Sequence, residues 1–319
     1  MSKVTSEPTL ALGRWKIYLA LSRTPHGLLD IATPVLAMLL WLGGFPSFGT
    51  MILGLFTVFA GYTAVYAIND IVDYRVDQAR FRTERKSEVE GPSPGYLDAI
   101  FIRHPLAQGK MTLAQAVLWA IFWGAAAFAG AWSLNPVCAL LLTLGVVLEG
   151  IYCKLLTVSH LRALINGVVK TLGPLAAVFA VDPAPAAWFM ALLFAWVFLW
   201  EIGGQNIPAD WHDIEEDRDQ GAKTIPVALG ESKASGFSLG CLSGSVLTGV
   251  LLFAVAPLNL PLPASLAALV LGAWLCVQPA LALRRSKLRN DASALFNRAS
   301  YYPAAMLLAA LVSMVLRSV

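Results

Sequence analysis

Six aspartates in two short segments are the residues of this sequence best suited to chemistry. They share the spacing DxxDxxxD and are Asp70, Asp73 and Asp77 in the first segment and Asp210, Asp213 and Asp217 in the second. On a helix, offsets of three and seven residues bring side chains to one face, so each triplet forms a one-sided acidic stripe. Neighbouring carboxylates repel by about 1 to 4 kcal/mol per pair near a protein surface. A cation from solution is therefore the expected partner.

Oxygen ligands select hard cations such as Mg²⁺, which takes one or two carboxylates and completes its shell with water and substrate phosphate. All six aspartates are candidate Mg²⁺ ligands, and Asp70, Asp73, Asp210 and Asp213 are also candidate catalytic residues. The alternative is ordinary surface, because a single acidic stripe at a helix end is more often solvated. Two copies with identical offsets, each closing an apolar helix, favour the metal site.

The composition is that of an integral membrane protein. Of the 319 residues, 57% are hydrophobic and only 13% are charged, whereas about 25% are charged in soluble domains. The mean hydropathy is +0.66. The net charge of +3 does not indicate a nucleic-acid partner, because the basic residues mark one side of the membrane. Four scattered cysteines and four dispersed histidines argue against a disulfide framework or a histidine-rich metal centre.

Nine apolar segments are long enough to cross a bilayer, which takes about 20 residues. They lie near 28–46, 50–70, 113–133, 136–152, 161–181, 186–209, 235–257, 262–283 and 300–317. We predict an all-α, polytopic membrane protein in which nine transmembrane helices form a bundle around a central cavity. The whole chain, 1–319, is expected to be one membrane-embedded domain in contact with the lipid bilayer.

The basic residues predict the orientation of the bundle. The connections near 46–50, 133–136, 181–187 and 257–263 contain no lysine or arginine, whereas the opposite side carries nearly all of them. By the positive-inside rule, the amino terminus and the acidic stripes face the cytoplasm. We expect an active site that opens to the cytoplasmic side of the cell (inner) membrane.

The stripes also reveal an internal repeat. The first stripe ends the second helix and the second stripe ends the sixth helix, so a unit of four helices separates them. An even offset predicts a parallel pseudo-repeat, completed by one final helix, as in some transporters. The two halves are then expected to face each other across the central cavity, stripe toward stripe.

Lys170 is the one lysine or arginine deep within a predicted span. A charge there costs about 2.5 to 3.5 kcal/mol and commonly marks a functional site. Snorkelling to the interface is the alternative, but about eight residues separate Lys170 from the nearer loop, which is beyond comfortable reach. We expect Lys170 to bind an anion in the cavity. Glu149, Glu201 and Gln205 are further polar intrusions that helix-to-helix hydrogen bonds could explain.

The sixth predicted helix contains residues that loosen or kink a membrane span just before the second stripe. These are Gly203, Gly204 and Pro208. Asn206 continues the face of the second stripe one turn deeper. A break in the helix here would turn the aspartates inward.

Two cytoplasmic loops, near 78–112 and 210–234, are long enough to cover the cavity. The first contains Gly91-Pro92-Ser93-Pro94-Gly95 and a short apolar patch, Tyr96 to Ile102. A lid is the functional interpretation of both loops, and a flexible connection is the alternative.

Together these features predict a lipid diphosphate as the ligand. Mg²⁺ held by the aspartates would neutralise the diphosphate, and Lys170 or a cation from a loop would stabilise charge on the leaving oxygen. An allylic carbon attached to that oxygen can then ionise. A membrane-embedded, lidded pocket keeps water away from the resulting carbocation.

The motifs resemble those of the UbiA superfamily of intramembrane prenyltransferases. Its two signatures look like NDxxDxxxD, here Asn69 to Asp77, and DxxDxxxD followed by Gly-x-x-Thr-x-Pro, here Asp210 to Asp217 followed by Gly221 to Pro226. The segment from His104 to Gly109 is similar to the family's Arg-Pro-Leu-(small)-x-Gly segment. Arg23 matches a common arginine before the first helix. The resemblance covers nearly the whole chain.

The resemblance implies a nine-helix bundle and Mg²⁺-dependent transfer of a polyprenyl group from polyprenyl diphosphate to an acceptor. That acceptor is commonly a small aromatic ring of a quinone pathway, such as 4-hydroxybenzoate or a naphthoate. The six aspartates and Asn69 carry over as metal and diphosphate ligands, with Arg23, Tyr152 and Asn206 as further candidate substrate-binding residues. The family's usual lysine four residues after Tyr152 is Leu156 here, which leaves that diphosphate contact without its usual residue.

Two other functions fit the same residues. The acceptor could be a glycerol lipid, a tetrapyrrole or a sugar phosphate instead of an aromatic ring. A cation-coupled transporter is a more distant alternative, because transporter sites lie near the bilayer midplane and these stripes lie at helix ends.

Overall fold

Nine helices of the described residues are long and apolar enough to cross a membrane, as predicted. The structure is a computed structural model that describes residues 14–75, 77–78, 104–258 and 260–316. The spanning helices are α1 (Thr24–Leu42), α2 (Phe48–Val72), α3 (Leu113–Leu134), α4 (Pro136–Lys154), α5 (Arg162–Phe179), α6 (Ala187–His212), α7 (Glu231–Val255), α8 (Pro261–Ser286) and α9 (Arg289–Val315). Short helices at Arg14–Leu21, Ile214–Asp219 and Ile225–Leu229 lie outside the spans.

The helix bounds differ most from the prediction in the first and the last spanning helix. The first span begins at Thr24, with Pro25 in its first turn, where the missing amide hydrogen of proline costs nothing. The last span begins at Arg289, eleven residues before the predicted start at 300. Hydropathy misses this extension because it is polar, and its Arg289 and Ser293 contact His212 at the tip of α6.

Neighbouring helices pack in an order that repeats after four helices. In the first half α2 packs on α3, α3 on α4 and α4 on α5. In the second half α6 packs on α7, α7 on α8 and α8 on α9. α1 closes the bundle by packing against both α5 and α9.

Large apolar side chains cover the outside of the bundle. Phe122, Leu140 and Leu308 are each more than 60% exposed. Apolar surface on this scale marks a protein that is solvated by lipid. The chain is therefore an integral membrane protein.

α6 is interrupted by a π-helical turn from Glu201 to Asn206, at the place where Gly203 and Gly204 predicted a break. The turn lets α6 approach its neighbours closely. A Cβ atom on Gly203 would lie 2.8 Å from the Ser238 backbone oxygen and 2.8 Å from the Cys241 Cβ. The Ser238 hydroxyl donates a 2.6 Å hydrogen bond to the Gly203 carbonyl, so α7 satisfies a backbone group that the widened turn exposes.

Gly203→Ala is expected to destabilise the bundle by about 1 to 3 kcal/mol, because the added methyl group overpacks the contact with α7. The measurement is the thermal unfolding midpoint of the purified protein in detergent. Gly240→Ala on α7 is the matched control, since a Cβ there meets no atom within 4 Å. Equal midpoints for the two variants would contradict the close approach.

Candidate functional site

One cavity of ≈ 500 Å³ brings the two acidic stripes together. It is lined by all six aspartates, from the carboxyl-terminal tips of α2 and α6 and the short segments that follow them, which include the helix Ile214–Asp219. Further residues line the cavity along the helices as far as Phe45 and Leu134 near the opposite end of the bundle. The cavity therefore runs from the acidic tips through most of the depth of the protein.

The first stripe is largely buried and meets a histidine. Asp70 and Asp77 are 4% and 7% exposed. The His104 Nδ1 atom lies 2.7 Å from Asp70 Oδ1 and 2.9 Å from Asp77 Oδ2. His104 has a positive φ of 49°, a conformation that is uncommon for residues other than glycine. The chain thus adopts a sparsely populated backbone conformation where His104 bridges the two carboxylates.

The pKa values of Asp73 and His104 are both raised. Burial raises the pKa of Asp73 to about 6, and the nearby charge of Asp77 adds to this, against the lowering effect of Arg162 and Arg23. Burial lowers the pKa of His104, but its hydrogen bonds to Asp70 and Asp77 outweigh that effect, so its pKa is raised. The charged imidazolium is therefore favoured beside the carboxylates.

The second stripe is held by the chain that follows it. The Asp217 carbonyl accepts a 2.8 Å hydrogen bond from the Ala222 amide, and Gly221 between them has a φ of 68°, a value that glycine adopts without strain. The Lys223 amide then donates a 2.7 Å bond to the Leu156 carbonyl, in the connection between α4 and α5. This link joins the segment after the second stripe to the α4–α5 connection.

Arg162 is a candidate site residue that the sequence interpretation missed. Its guanidinium lies 4.0 Å from the ring centroid of Tyr152, within the range of a cation–π contact. The charges of Asp210 and Asp73, one from each stripe, both act on it. Its Nη1 atom is buried and receives no hydrogen-bond partner from the described chain. Arg162 therefore brings a positive charge to the space between the stripes.

A signal for Arg162 existed in the sequence. It stands six residues after Leu156, where the family's usual lysine is missing. As a basic residue at a helix start, it first indicates the cytoplasmic side of the membrane.

The candidate substrate-binding residues Asn69, Arg23, Tyr152 and Asn206 all line the same cavity. Asn69 donates a 2.7 Å hydrogen bond to Glu149 Oε1, which fixes its amide beside the first stripe. Asn206 donates a 2.7 Å bond to Glu201 Oε1. The polar residues of α4 and α6 thus orient amides that face the cavity.

Lys170 is paired with a buried aspartate. Its Nζ atom lies 2.6 Å from Asp30 Oδ2 and 3.2 Å from the Tyr66 hydroxyl, and Glu201 Oε2 is 3.9 Å away. The sequence interpretation assigned no role to Asp30, although it is the partner that compensates the charge of Lys170. The anion-binding role expected of Lys170 stays a prediction, and this ion pair argues against it. The residue lies in the middle of α5, which does not favour the snorkelling alternative.

The donor set fits a hard divalent cation. Six carboxylates converge on one cavity, and oxygen-only sets of this kind suit Mg²⁺. Asp70 Oδ2 is buried, and no hydrogen bond reaches it from the described residues, so a lone pair stays available for a ligand. His104 hydrogen-bonds to Asp70 and Asp77, so it can compete with a cation for these oxygens. It is not expected to be a ligand itself, because imidazole nitrogen is a poor ligand for Mg²⁺.

Cation binding is expected to weaken as the pH falls through about 6, the pKa of Asp73. A protonated carboxyl cannot ligate Mg²⁺, so the affinity should fall by about tenfold or more between pH 7 and pH 5. Isothermal titration of the protein with Mg²⁺ at several pH values measures this. An affinity that does not change between pH 7 and pH 5 would contradict the participation of Asp73.

Comparisons with known proteins agree on one family. The profile of the UbiA prenyltransferase family matches residues 31–301. The digeranylgeranylglyceryl phosphate synthase of Thermococcus kodakarensis is 28% identical over 222 residues, which are 69% of this chain and 72% of that protein. The 4-hydroxybenzoate octaprenyltransferase of Shewanella sediminis is 28% identical over 220 residues, 67% of this chain and 69% of that protein.

Solved structures share the fold. A UbiA homologue from Aeropyrum pernix K1 superposes with a TM-score of 0.70 at 22% identity, over 91% of this chain and 98% of that one. A UbiA homologue from Archaeoglobus fulgidus bound to GPP and Mg²⁺ superposes with a TM-score of 0.66 at 17% identity, over 94% and 99%.

The family profile covers most of the chain, and the nine-helix bundle matches UbiA homologues along nearly their full length. These matches support an enzyme rather than the cation-coupled transporter. The chain belongs to the UbiA prenyltransferase family and is a membrane-embedded transferase of prenyl groups.

Proposed function

We propose that the protein catalyses Mg²⁺-dependent transfer of a polyprenyl group from its diphosphate to a small aromatic acceptor. The convergence of both acidic stripes and Arg162 on one cavity is the observation that carries this proposal. Facing carboxylates need a cation between them, and a diphosphate is the ligand whose charge such a cation neutralises.

The aspartates would hold Mg²⁺ at the cavity mouth. When bound there, Mg²⁺ supplies electrostatic stabilisation of the departing pyrophosphate. Asp70, Asp73 and Asp77 provide ligands from one half of the bundle, and the second stripe, Asp210, Asp213 and Asp217, provides them from the other. Asn69, held by Glu149, presents its amide to the same region.

Arg162 takes the role that the sequence interpretation gave to Lys170. Its guanidinium is held against Tyr152 and has a buried, unsatisfied Nη1 donor within the described chain. A planar guanidinium suits phosphate oxygens. We assign Arg162 to the diphosphate and to the charge that develops on the leaving oxygen, with Arg23 as a second cation at the same mouth.

The deeper part of the cavity suits an apolar chain. Val58, Leu141, Leu142 and Val169 line it on the way to Phe45. These side chains would bury the prenyl group of the donor and keep water from the allylic cation after the C1–oxygen bond breaks. The cavity extends through most of the bundle, so a long isoprenoid fits better than a single isoprene unit.

Rings between the mouth and the apolar part favour an aromatic acceptor. The His26 ring stacks on Phe296 with centroids 5.6 Å apart, and its centroid lies 6.1 Å from that of Tyr66 in an edge-on arrangement. All three rings line the cavity. Such faces stabilise a bound ring through stacking and edge contacts.

A glycerol lipid is the second candidate acceptor. It is favoured by the similarity to the digeranylgeranylglyceryl phosphate synthase of Thermococcus kodakarensis. The metal, the diphosphate and the allylic cation would be handled by the same residues, so the two candidates differ only in the group that attacks C1.

We also propose that the site opens on the cytoplasmic side of the membrane. The clustering of lysine and arginine at the end that carries the stripes supports a cavity mouth on the cytoplasmic side of the cell (inner) membrane. The segments near 78–112 and 210–234 are proposed lids of a single domain that spans 1–319. Residues 79–103 of the first lid lie outside the described residues, and the second contains the short helices Ile214–Asp219 and Ile225–Leu229.

Product mass spectrometry tests this function. Purified protein, Mg²⁺ and prenyl diphosphates of several lengths are incubated with a panel of phenols and a panel of alkylglycerols. A prenylated phenol with stoichiometric pyrophosphate release supports the aromatic acceptor, and a prenylated glycerol supports the second candidate. Pyrophosphate release without a prenylated product from either panel would contradict both.

A further inference from the structure

A second polar group of residues lies deeper in the cavity and is not used by the metal and diphosphate chemistry. It consists of Lys170, Tyr66, Glu201, Asn166 and Asn206, all of which line the cavity. Lys170 and Glu201 lie eight and nine residues along their helices from Arg162 and Asp210, which corresponds to about 12 Å at 1.5 Å per residue. The group therefore lies deeper in the cavity than Arg162 and Asp210.

Hydrogen bonds occupy one carboxylate oxygen of Glu201, Oε1, and leave the other, Oε2, available to a ligand. Oε1 accepts bonds from Asn166 Nδ2 at 3.0 Å and Asn206 Nδ2 at 2.7 Å. Oε2 is buried and receives no hydrogen bond from the described chain, although Glu201 is only 4% exposed. A buried, unsatisfied carboxylate oxygen costs free energy unless a ligand donates to it.

Lys170 is fixed at the distance that a single bridging atom requires. Asp30 and Tyr66 occupy two of its three donors. Its Nζ atom is 3.9 Å from Glu201 Oε2, which is too long for a direct hydrogen bond. One oxygen about 2.8 Å from each atom would close this gap, accepting from Lys170 and donating to Glu201. A hydroxyl group has both properties.

The same group disfavours a carboxylate. Asp30 already compensates the charge of Lys170, so the charges of Asp30, Lys170 and Glu201 leave the group without an uncompensated cation. A ligand carboxylate has no hydrogen to donate to Glu201 Oε2 and would add a like charge in a poorly solvated place.

We infer that Lys170 and Glu201 form the acceptor subsite, and that this subsite takes the hydroxyl group of an uncharged acceptor in preference to an anionic one. The inference rests on the proposed function, which it extends to the chemical class of the acceptor. It reassigns Lys170 from the leaving group to the acceptor, and Glu201 is a specificity-determining residue.

Acceptor binding in Glu201→Gln tests the inference. Asn166 and Asn206 would hold the glutamine oxygen, which turns its NH₂ group toward the ligand, where it cannot accept the hydroxyl hydrogen. The probes are 4-hydroxybenzamide and 4-hydroxybenzoate, which have the same shape and differ in charge. A second pair, an alkylglycerol and its phosphate monoester, applies the same comparison to an aliphatic hydroxyl.

Binding is measured by equilibrium dialysis with Mg²⁺ and geranylgeranyl S-thiolodiphosphate, a donor analogue that reacts very slowly. We expect the wild type to bind the uncharged member of at least one pair at least tenfold more tightly than the anionic member. In Glu201→Gln the uncharged probe should lose about tenfold in affinity and the anionic probe should gain. The pair that shows this pattern distinguishes a phenol from a glycerol acceptor.

Glu215→Gln is the control. It makes the same chemical change to an exposed carboxylate that does not line the cavity, and it should leave acceptor affinity within twofold. Binding of the donor analogue, unchanged in Glu201→Gln, shows that the variant is folded. Tighter binding of the anionic probes to the wild type, or acceptor affinities within twofold in Glu201→Gln, would overturn the inference. The proposed function fails separately, if the wild type with a reactive donor releases no pyrophosphate.

Discussion

Asp210→Asn is expected to lower the rate of pyrophosphate release by about 10³-fold or more. The asparagine keeps the size of the side chain but removes one negative charge and one metal-ligating oxygen. Losses of this kind of electrostatic stabilisation typically cost 10²–10³ in rate for a single donor, and a metal ligand contributes at least as much. Asp70→Asn should have the same effect from the other half of the bundle. Pyrophosphate release at saturating donor measures both.

Glu215→Gln is the control for these two variants. Glu215 follows the second stripe in the sequence but is exposed and does not line the cavity. Its activity should stay within twofold of the wild type. If either stripe tolerates the loss of its charge as well as Glu215 does, that stripe has no part in the reaction.

Arg162→Leu is expected to lower kcat/KM for the prenyl diphosphate by about 100-fold. The guanidinium stacked on Tyr152 is the proposed cation for the diphosphate, and the removal of one charged donor from a buried site costs about 2.7 kcal/mol or more. Steady-state kinetics with varied donor measures the change. KM for the acceptor should not change, because the acceptor subsite is about 12 Å deeper.

A second substitution makes the Arg162 prediction specific. Leu156 occupies the position at which the family usually has a lysine, and it lines the same cavity. Leu156→Lys in the Arg162→Leu background should recover part of the lost kcat/KM, because the cation returns by the family's usual route. Arg218→Leu, at an exposed position outside the cavity, is the control. Rescue that fails although the double variant binds Mg²⁺ normally would show that Arg162 does not act on the diphosphate.

The acidic stripes could be found from the sequence because they depend on local periodicity. Three aspartates spaced for one helix face, at the ends of two helices of the same direction, must lie at the same end of the bundle. No tertiary contact is needed for that deduction. The nine spans could be predicted for the same reason, since each is a local property of about 20 residues.

Long-range pairing could not be predicted in the same way. Lys170 was expected to bind an anion, because its partner Asp30 lies 140 residues earlier in the chain and could not be identified from local sequence. Arg162 was overlooked because a basic residue at a helix start first suggests membrane topology. In both cases the residue type can be read from the sequence, but the partner that determines its role becomes visible only when the helices pack.

The break in α6 is an intermediate case. Gly203, Gly204 and Pro208 predicted that the helix would not continue regularly, but not that it would widen into a π-helical turn from Glu201 to Asn206. The form depends on the close approach of α7, which supplies the Ser238 hydroxyl to the Gly203 carbonyl. The same turn contains Glu201 and Asn206, which share a hydrogen bond in the proposed acceptor subsite.

The central claim is that the two stripes act on one shared ligand. Binding of geranylgeranyl S-thiolodiphosphate in the presence of Mg²⁺ tests it most directly, in the wild type, Asp73→Asn, Asp213→Asn and the double variant. We predict that each single variant loses at least tenfold in affinity and that the double variant loses much less than the product of the two, since either change disrupts the same site. Wild-type affinity in either single variant, or losses that simply multiply, would contradict a shared site.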